Sequence, residues 1–154
     1  MPLPSDAIRG CAIVGTGMYV PERVLTNDDL SRMVETSDEW IVERTGIRER
    51  RIAAPEQASS DLALIACQRA LAMAGLEPKD VDQIILATTT PDRILPSCAC
   101  TLQQKLGATN AAAYDMFAAC TGFVFGMGLG RGLIGAGIAK TVLVVGVETL
   151  SRIV

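Results

Sequence analysis

Cys120 is the residue of this sequence best placed for covalent chemistry. It stands in Phe117-Ala118-Ala119-Cys120-Thr121-Gly122-Phe123, where a strand-like run leads into a turn of small residues and a helix-like run leads out. That pattern predicts a thiol at a helix N-terminus, where unpaired N–H groups and the positive end of the helix dipole favour a thiolate. Ala118, Ala119 and Gly122 leave room for a substrate carbonyl to reach the sulfur, and the Cys120 amide is a candidate oxyanion donor. On this pattern alone, a cysteine that merely packs in the interior is the more ordinary reading.

A second group lies in Thr36-Ser37-Asp38-Glu39-Trp40-Ile41-Val42-Glu43-Arg44-Thr45-Gly46-Ile47-Arg48, which holds the single tryptophan of the chain. On a helix Trp40 and Arg44, four residues apart, share a face. An aromatic plane beside a guanidinium suits a nucleotide, the ring stacking on a base and the arginine pairing with phosphate. A surface helix with a half-buried tryptophan gives the same spacing.

The other cysteines offer less. Cys11 and Cys67 sit in apolar stretches and read as small buried hydrophobes. Cys98 and Cys100 form a C-x-C pair with no second ligand pair, and the chain has no histidine, so no metal site is expected. A redox thiol protein would call for a C-x-x-C pair or a resolving cysteine, and neither motif is evident. An odd number of cysteines, 5 in all, fits a reduced, cytoplasmic chain better than a disulfide framework.

The elements that must position these residues follow from the apolar patterning. Ile8–Val20 reads as a strand ended by Pro21. Gly15-Thr16-Gly17 lacks the third glycine of a dinucleotide fingerprint, because Val20 stands there, and reads as a strand-end turn. Asn27-Asp28-Asp29 and Ser37-Asp38-Glu39 offer helix caps, and a charged connecting segment follows between Gly46 and Pro55. Ser59-Ser60-Asp61 caps a helix running to about Ala74, stopped by Gly75. Val81–Thr90 is a strand, Pro96-Ser97 opens a helix ending at Gly107, and Ala111–Phe117 and Thr141–Val147 are further strands. Alternating strands and helices predict an α/β layered sandwich, and continuous Val/Ile/Leu strands predict a sheet covered on both faces.

Between the last two strands lies the most apolar stretch, Phe117–Ala139. It is long enough to span a bilayer and has small residues four apart, but it carries Arg131 and seven glycines. A buried helix of a soluble protein, sandwiched between layers, is the expectation. With 154 residues, 49% of them apolar, the chain has enough material for one well-packed core. Its 14 basic residues against 17 acidic ones are scattered, apart from the knot Arg48, Arg50 and Arg51. That balance excludes the clustered basic face of a nucleic-acid binder and gives no attraction to an anionic membrane. No basic region followed by an apolar core opens the chain, so no signal peptide is expected. The stop at Val154, soon after an apolar strand, reads as half of a larger fold.

Four segments occur together in one order: TSDEWIVERTGIRERR, LATTTPD, AACTGF and VLVVGVETLSR. In combination the sequence resembles the N-terminal half of a bacterial β-ketoacyl-acyl-carrier-protein synthase III, a condensing enzyme of the thiolase fold, from Ile8 to Arg152. The resemblance implies a thiolase-like layered sandwich (αβαβα in the complete enzyme), with residues 1–154 as the nucleophile-bearing N-terminal domain and the C-terminal half absent. It implies that Cys120 takes an acyl group, typically from acetyl-CoA, and that the carbanion of decarboxylated malonyl-acyl-carrier protein then attacks it. Thr36, Trp40 and Arg44 would bind CoA, and Leu95 would sit on a loop that crosses a homodimer interface and shapes the partner's acyl pocket. No cofactor is implied, since acyl-CoA is a substrate. The histidine and asparagine that complete such a site lie in the second half of family members, so the chain alone is expected to be inactive or nearly so. A type III polyketide synthase, a hydroxymethylglutaryl-CoA synthase and a non-catalytic scaffold built on a half fold are the competing expectations.

Overall fold

The computed structural model describes residues 9–153. The chain divides into two compact units. One joins Val20–Gln57 to the residues from Thr149 onward; the other joins the residues up to Tyr19 to Ala58–Glu148.

In the smaller unit, β1 (Arg23–Thr26) leads into α1 (Asn27–Ser31), α2 spans Asp38–Thr45, and β2 spans Glu49–Ile52. The two strands pair antiparallel, with Arg23 opposite Ile52 and Thr26 opposite Glu49. The segment read as a charged connection thus holds a strand. Its sequence, Glu-Arg-Arg-Ile, has no apolar alternation, so its extended form rests on pairing with β1 and not on burial. The cap of α1 is Thr26, whose hydroxyl accepts the Asp29 N–H while the Asp29 carboxylate accepts the Thr26 N–H. Asn27, read as a cap, is instead buried and donates to Asp38 at 2.7 Å and to the Ile47 carbonyl at 2.8 Å. Ser37 caps α2 as expected, and Gly46 ends it with a left-handed φ of 71°. Arg152 ties the last described turn to this unit by donating to the carbonyls of Pro55 and Gln57 at 2.8 and 2.6 Å.

The larger unit carries α3 (Ser59–Ala74), β3 (Gln83–Ala87), α4 (Cys98–Leu106), β4 (Ala112–Met116), α5 (Gly122–Gly135) and β5 (Val142–Gly146). The sheet runs in the order β4-β3-β5, all parallel, with Ile85 opposite both Tyr114 and Val144. Every residue of the central strand β3 is buried. Ile84, Leu86 and Val145 form a core cluster with Cys67 and Leu71 of α3 and Leu102 and Leu106 of α4. Ile85, Val142 and Val144, on the alternate positions, meet the glycines of α5. The α/β layering, with one parallel sheet between helices, is the class that the alternation of elements predicted.

Several local readings change. Ser59 and Ser60 lie inside α3, because the helix is capped one residue earlier, where the Asp61 carboxylate accepts the Ala58 N–H at 2.9 Å. Cys67 is buried as read, but Cys11 is exposed. The expected strand Ile8–Val20 does not form over its described part, and Ile8 lies outside the described residues. That segment faces β5 across an apolar cavity of about 850 Å³, so its backbone has no ladder partner. Gly15 and Gly17 hold it against α3 instead. A Cβ on Gly15 would stand 2.2 Å from the Ala70 carbonyl oxygen, and one on Gly17 2.1 Å from that of Ala66. The two glycines therefore serve close backbone packing and not a strand-end turn.

Helix α5 also departs from expectation. Apart from Arg131 it is apolar all round, but only one of its faces is covered. Gly122, Gly126, Gly130 and Gly135 are buried, while Phe123, Val124, Phe125 and Leu129 are exposed. Among the described residues no helix is long and apolar enough to cross a membrane.

Candidate functional site

Strand β4 delivers the chain to Cys120. After Met116 two residues lead to a single 3-10 turn, Ala119–Thr121, and α5 begins at Gly122. Ala119 has φ 44°, the one positive φ among the described non-glycine residues. A left-handed alanine costs roughly 1–2 kcal/mol, and such strain persists where neighbours over-determine it. Here they do. The Thr121 hydroxyl donates to the Ala118 carbonyl at 2.8 Å, the Thr121 N–H donates to the same carbonyl, and the Gly122 N–H donates to that of Ala119. Gly122 lies so close to the sheet that a Cβ there would stand 2.8 Å from the Ala87 Cβ. The strand–turn–helix corner is thus tight, and it leaves the Cys120 thiol exposed.

The other cysteines differ in environment. Burial pushes the thiols of Cys67 and Cys98 up to about 12, so both are neutral and inert at ordinary pH. The Cys98 sulfur also lies 3.4 Å from the Asp92 carboxylate, whose charge opposes a thiolate. Cys100 lies beside the Ala113 carbonyl, and Cys11 is on the irregular segment. Cys120 alone combines exposure with a helix start and small neighbours.

Leu95 sits on the neighbouring connection, between β3 and α4. Parallel strands β3 and β4 end side by side, so this loop and the Cys120 turn leave the same end of the sheet, the usual place for ligand sites in open parallel sheets. Leu95 and Ile94 are each 83% exposed. The far end of the loop is fixed at α4, where Ser97 caps the helix and the Asp115 carboxylate accepts the Cys98 and Ala99 N–H groups at 2.8 and 2.7 Å.

In the smaller unit the structure brings Thr36, Trp40 and Arg44 to one stretch of chain. Thr36 is half-buried directly before the Ser37 cap, and Ser37 accepts the Trp40 N–H at 3.2 Å, fixing Trp40 in the first turn of α2. One turn on, the Arg44 guanidinium lies 4.5 Å from the Trp40 ring centroid, a cation–π distance. Trp40 is 51% exposed, leaving aromatic surface accessible beside the cation. The nearest acid, Glu43, is 3.9 Å from Arg44 and exposed, so it neutralises little of that charge. A planar base and a phosphate are the ligand chemistry this pair suits.

The left-handed Ala119, which no alanine advertises, and the carboxylates of Asp92, Asp115 and Glu148 join the site without standing out in the motifs. Their positions at strand and loop ends were the available signal.

Residues 114–154, which include Cys120, match the family model described as 3-oxoacyl-[acyl-carrier-protein] synthase III. The chain is 56% identical over 142 residues to the β-ketoacyl-[acyl-carrier-protein] synthase III of Caldanaerobacter subterraneus subsp. tengcongensis, covering 92% of this chain and 43% of that protein. It is 57% identical over 144 residues to the protein of the same description from Geobacillus kaustophilus, covering 94% and 46%. Among solved structures, it is similar to the 3-oxoacyl-[acyl-carrier-protein] synthase III of Aquifex aeolicus, with TM-score 0.90, 49% identity, and coverage of 93% of this chain and 46% of that one. The priming β-ketosynthase of the R1128 polyketide pathway matches with TM-score 0.91 at 32% identity, covering 98% and 45%. The expected thiolase-like fold is borne out by these likenesses, and the chain spans less than half the length of the proteins it matches.

Proposed function

We propose, for a chain that belongs to the β-ketoacyl-acyl-carrier-protein synthase III family and spans under half the length of its members, the role of nucleophile-bearing N-terminal half of an acyltransferase that starts fatty-acid synthesis. The observation that carries this reading is the exposed Cys120 thiol on the strained corner between β4 and α5.

Cys120 attacks the thioester carbonyl of acyl-CoA, typically acetyl-CoA. The new C–S bond forms as the CoA thiol leaves with the proton, and the Cys120 amide donates to the oxyanion. Malonyl-acyl-carrier protein then loses carbon dioxide. The electron pair of the broken C–C bond attacks the acyl-Cys120 carbonyl, and the Cys120 thiolate leaves and takes up a proton. The product is 3-oxoacyl-acyl-carrier protein. Thr36, Trp40 and Arg44 hold the nucleotide end of CoA, Trp40 by stacking and Arg44 by charge. Leu95 reaches across a homodimer interface and bounds the partner's acyl pocket. No cofactor takes part, and the enzyme works in the cytoplasm.

The catalytic histidine and asparagine come from a C-terminal half, which also covers the exposed face of α5. The test is product formation from acetyl-CoA and malonyl-acyl-carrier protein. The chain combined with its C-terminal half yields 3-oxoacyl-acyl-carrier protein, and Cys120→Ala abolishes it. A scaffold role follows if the combined halves give no product while both fold. The likeness to a polyketide-priming ketosynthase favours one further reading, priming of a polyketide chain; a carrier protein of that class preferred over the fatty-acid carrier would establish it.

A further inference from the structure

Two of the four segments singled out in the sequence, LATTTPD and VLVVGVETLSR, meet in the larger unit through one carboxylate. Glu148, just after β5, accepts from the Thr89 N–H at 2.8 Å, the Thr89 hydroxyl at 3.0 Å and the Thr90 hydroxyl. The Thr88 hydroxyl lies 3.4 Å from it. These threonines are the first residues of the loop that carries Leu95. The same stem is also held by α3: Asp92 accepts the Ser60 N–H at 2.9 Å and the Ser60 hydroxyl, and the Thr90 carbonyl accepts the Ser59 hydroxyl at 2.6 Å.

The loop is therefore pinned at its base by charge-assisted hydrogen bonds, the stronger kind, while its tip is open. Arg93, Ile94, Leu95 and Pro96 are all exposed. With the tip exposed, the stem sets how far Leu95 reaches. A shift of one methylene at the wall of an acyl pocket is worth about 10–200-fold in discrimination. The hydrogen bonds of Glu148 go to the threonines of the stem, so its effect passes through Thr89 and Thr90.

We propose that Glu148 is a specificity-positioning residue that sets the acyl-chain preference of the Leu95 loop. This rests on the proposed function, in which that loop bounds the acyl pocket. The experiment uses this chain combined with its C-terminal half and compares kcat/KM for acetyl-CoA with that for a longer, branched acyl-CoA. Glu148→Gln keeps the shape and loses the charge; Glu148→Asp keeps the charge; Thr89→Val removes one hydroxyl and covers the case in which Glu148→Gln does not fold. The rate of Cys120 alkylation by iodoacetamide reads the nucleophile turn independently. The expected result is a change in the acyl-CoA ratio of about ten-fold or more in Glu148→Gln, a smaller one in Thr89→Val, recovery in Glu148→Asp, and an alkylation rate within about two-fold of the unsubstituted chain. A ratio unchanged in both Glu148→Gln and Thr89→Val, or equal losses for both substrates together with slowed alkylation, overturns the proposal. Absence of acyl transfer by the unsubstituted protein overturns the function on which it rests.

Discussion

The two faces of the parallel sheet are finished to different degrees. On one, α3 and α4 cover Ile84, Leu86 and Val145, and Leu102, Cys98 and Ala99 are wholly excluded from solvent. On the other, α5 presses its glycines onto Ile85, Val142 and Val144 while Phe123, Val124 and Phe125 remain 48–67% exposed. The first face is a completed core. The second is a core with one wall missing, and it begins at Cys120. A helix whose only charge is Arg131 needs covering over most of its surface, so the unpartnered face of α5 agrees with a chain that spans 43–46% of its relatives. The difference separates what stabilises this chain from what the proposed C-terminal half would add.

Substitutions on the two faces should therefore behave differently in denaturant titrations of the chain. The largest effect is expected on the completed face. Leu102→Ala should cost about 2–5 kcal/mol, the usual range for a wholly buried leucine; a loss near zero would show that this face is not the stabilising core. That core also carries the pH dependence. The Cys67 thiol is raised by burial from its ordinary 9.0 to about 12, so its contribution is intact below about 9 and is lost as pH rises towards 12. Unfolding followed between those values should show stability falling, with a shallower slope in Cys67→Ala. On the α5 side, Gly122→Ala should cost about 1–3 kcal/mol, since the added methyl meets the Ala87 Cβ and has no rotamer to escape by. Gly128, with nothing near it, should gain up to about 1 kcal/mol on replacement by alanine. Opposite signs at two glycines of one helix would confirm that only one face is packed. The smallest effect is expected at Phe125, 58% exposed: Phe125→Ser should change the stability of the isolated chain by less than about 0.5 kcal/mol, yet weaken capture of a C-terminal half in a pull-down.

The sequence made the completed face legible and the unfinished one only partly so. Strands β3, β4 and β5 and helices α3 and α4 were readable because their apolar runs, caps and terminal glycines agree with the packing they meet. Segment 9–20 was misread because its composition is that of a strand, whereas extended pairing also needs a neighbour, and β5 lies across a cavity. β2 was missed for the converse reason: its four residues have a neighbour in β1 but no apolar signature. Of the candidate site, Cys120 was visible from the small residues around it and Trp40 with Arg44 from their helical spacing. Ala119 and Glu148 were not. A positive φ in alanine leaves no trace in local spacing, and the strand-end position of Glu148 does not reveal the loop threonines it gathers, since both are set by tertiary structure.

Cys120 is proposed as the nucleophile of a split acyl-transfer site. Intact mass after incubation with acetyl-CoA tests it most directly, with the chain alone, the chain with its C-terminal half, and the Cys120→Ser variant with that half. A single acetyl adduct on the chain is expected when both halves are present, little or none on the chain alone, and none in the variant. No adduct in any sample, with acetyl-CoA or with longer and branched acyl-CoAs, or an adduct that persists in Cys120→Ser, would contradict it.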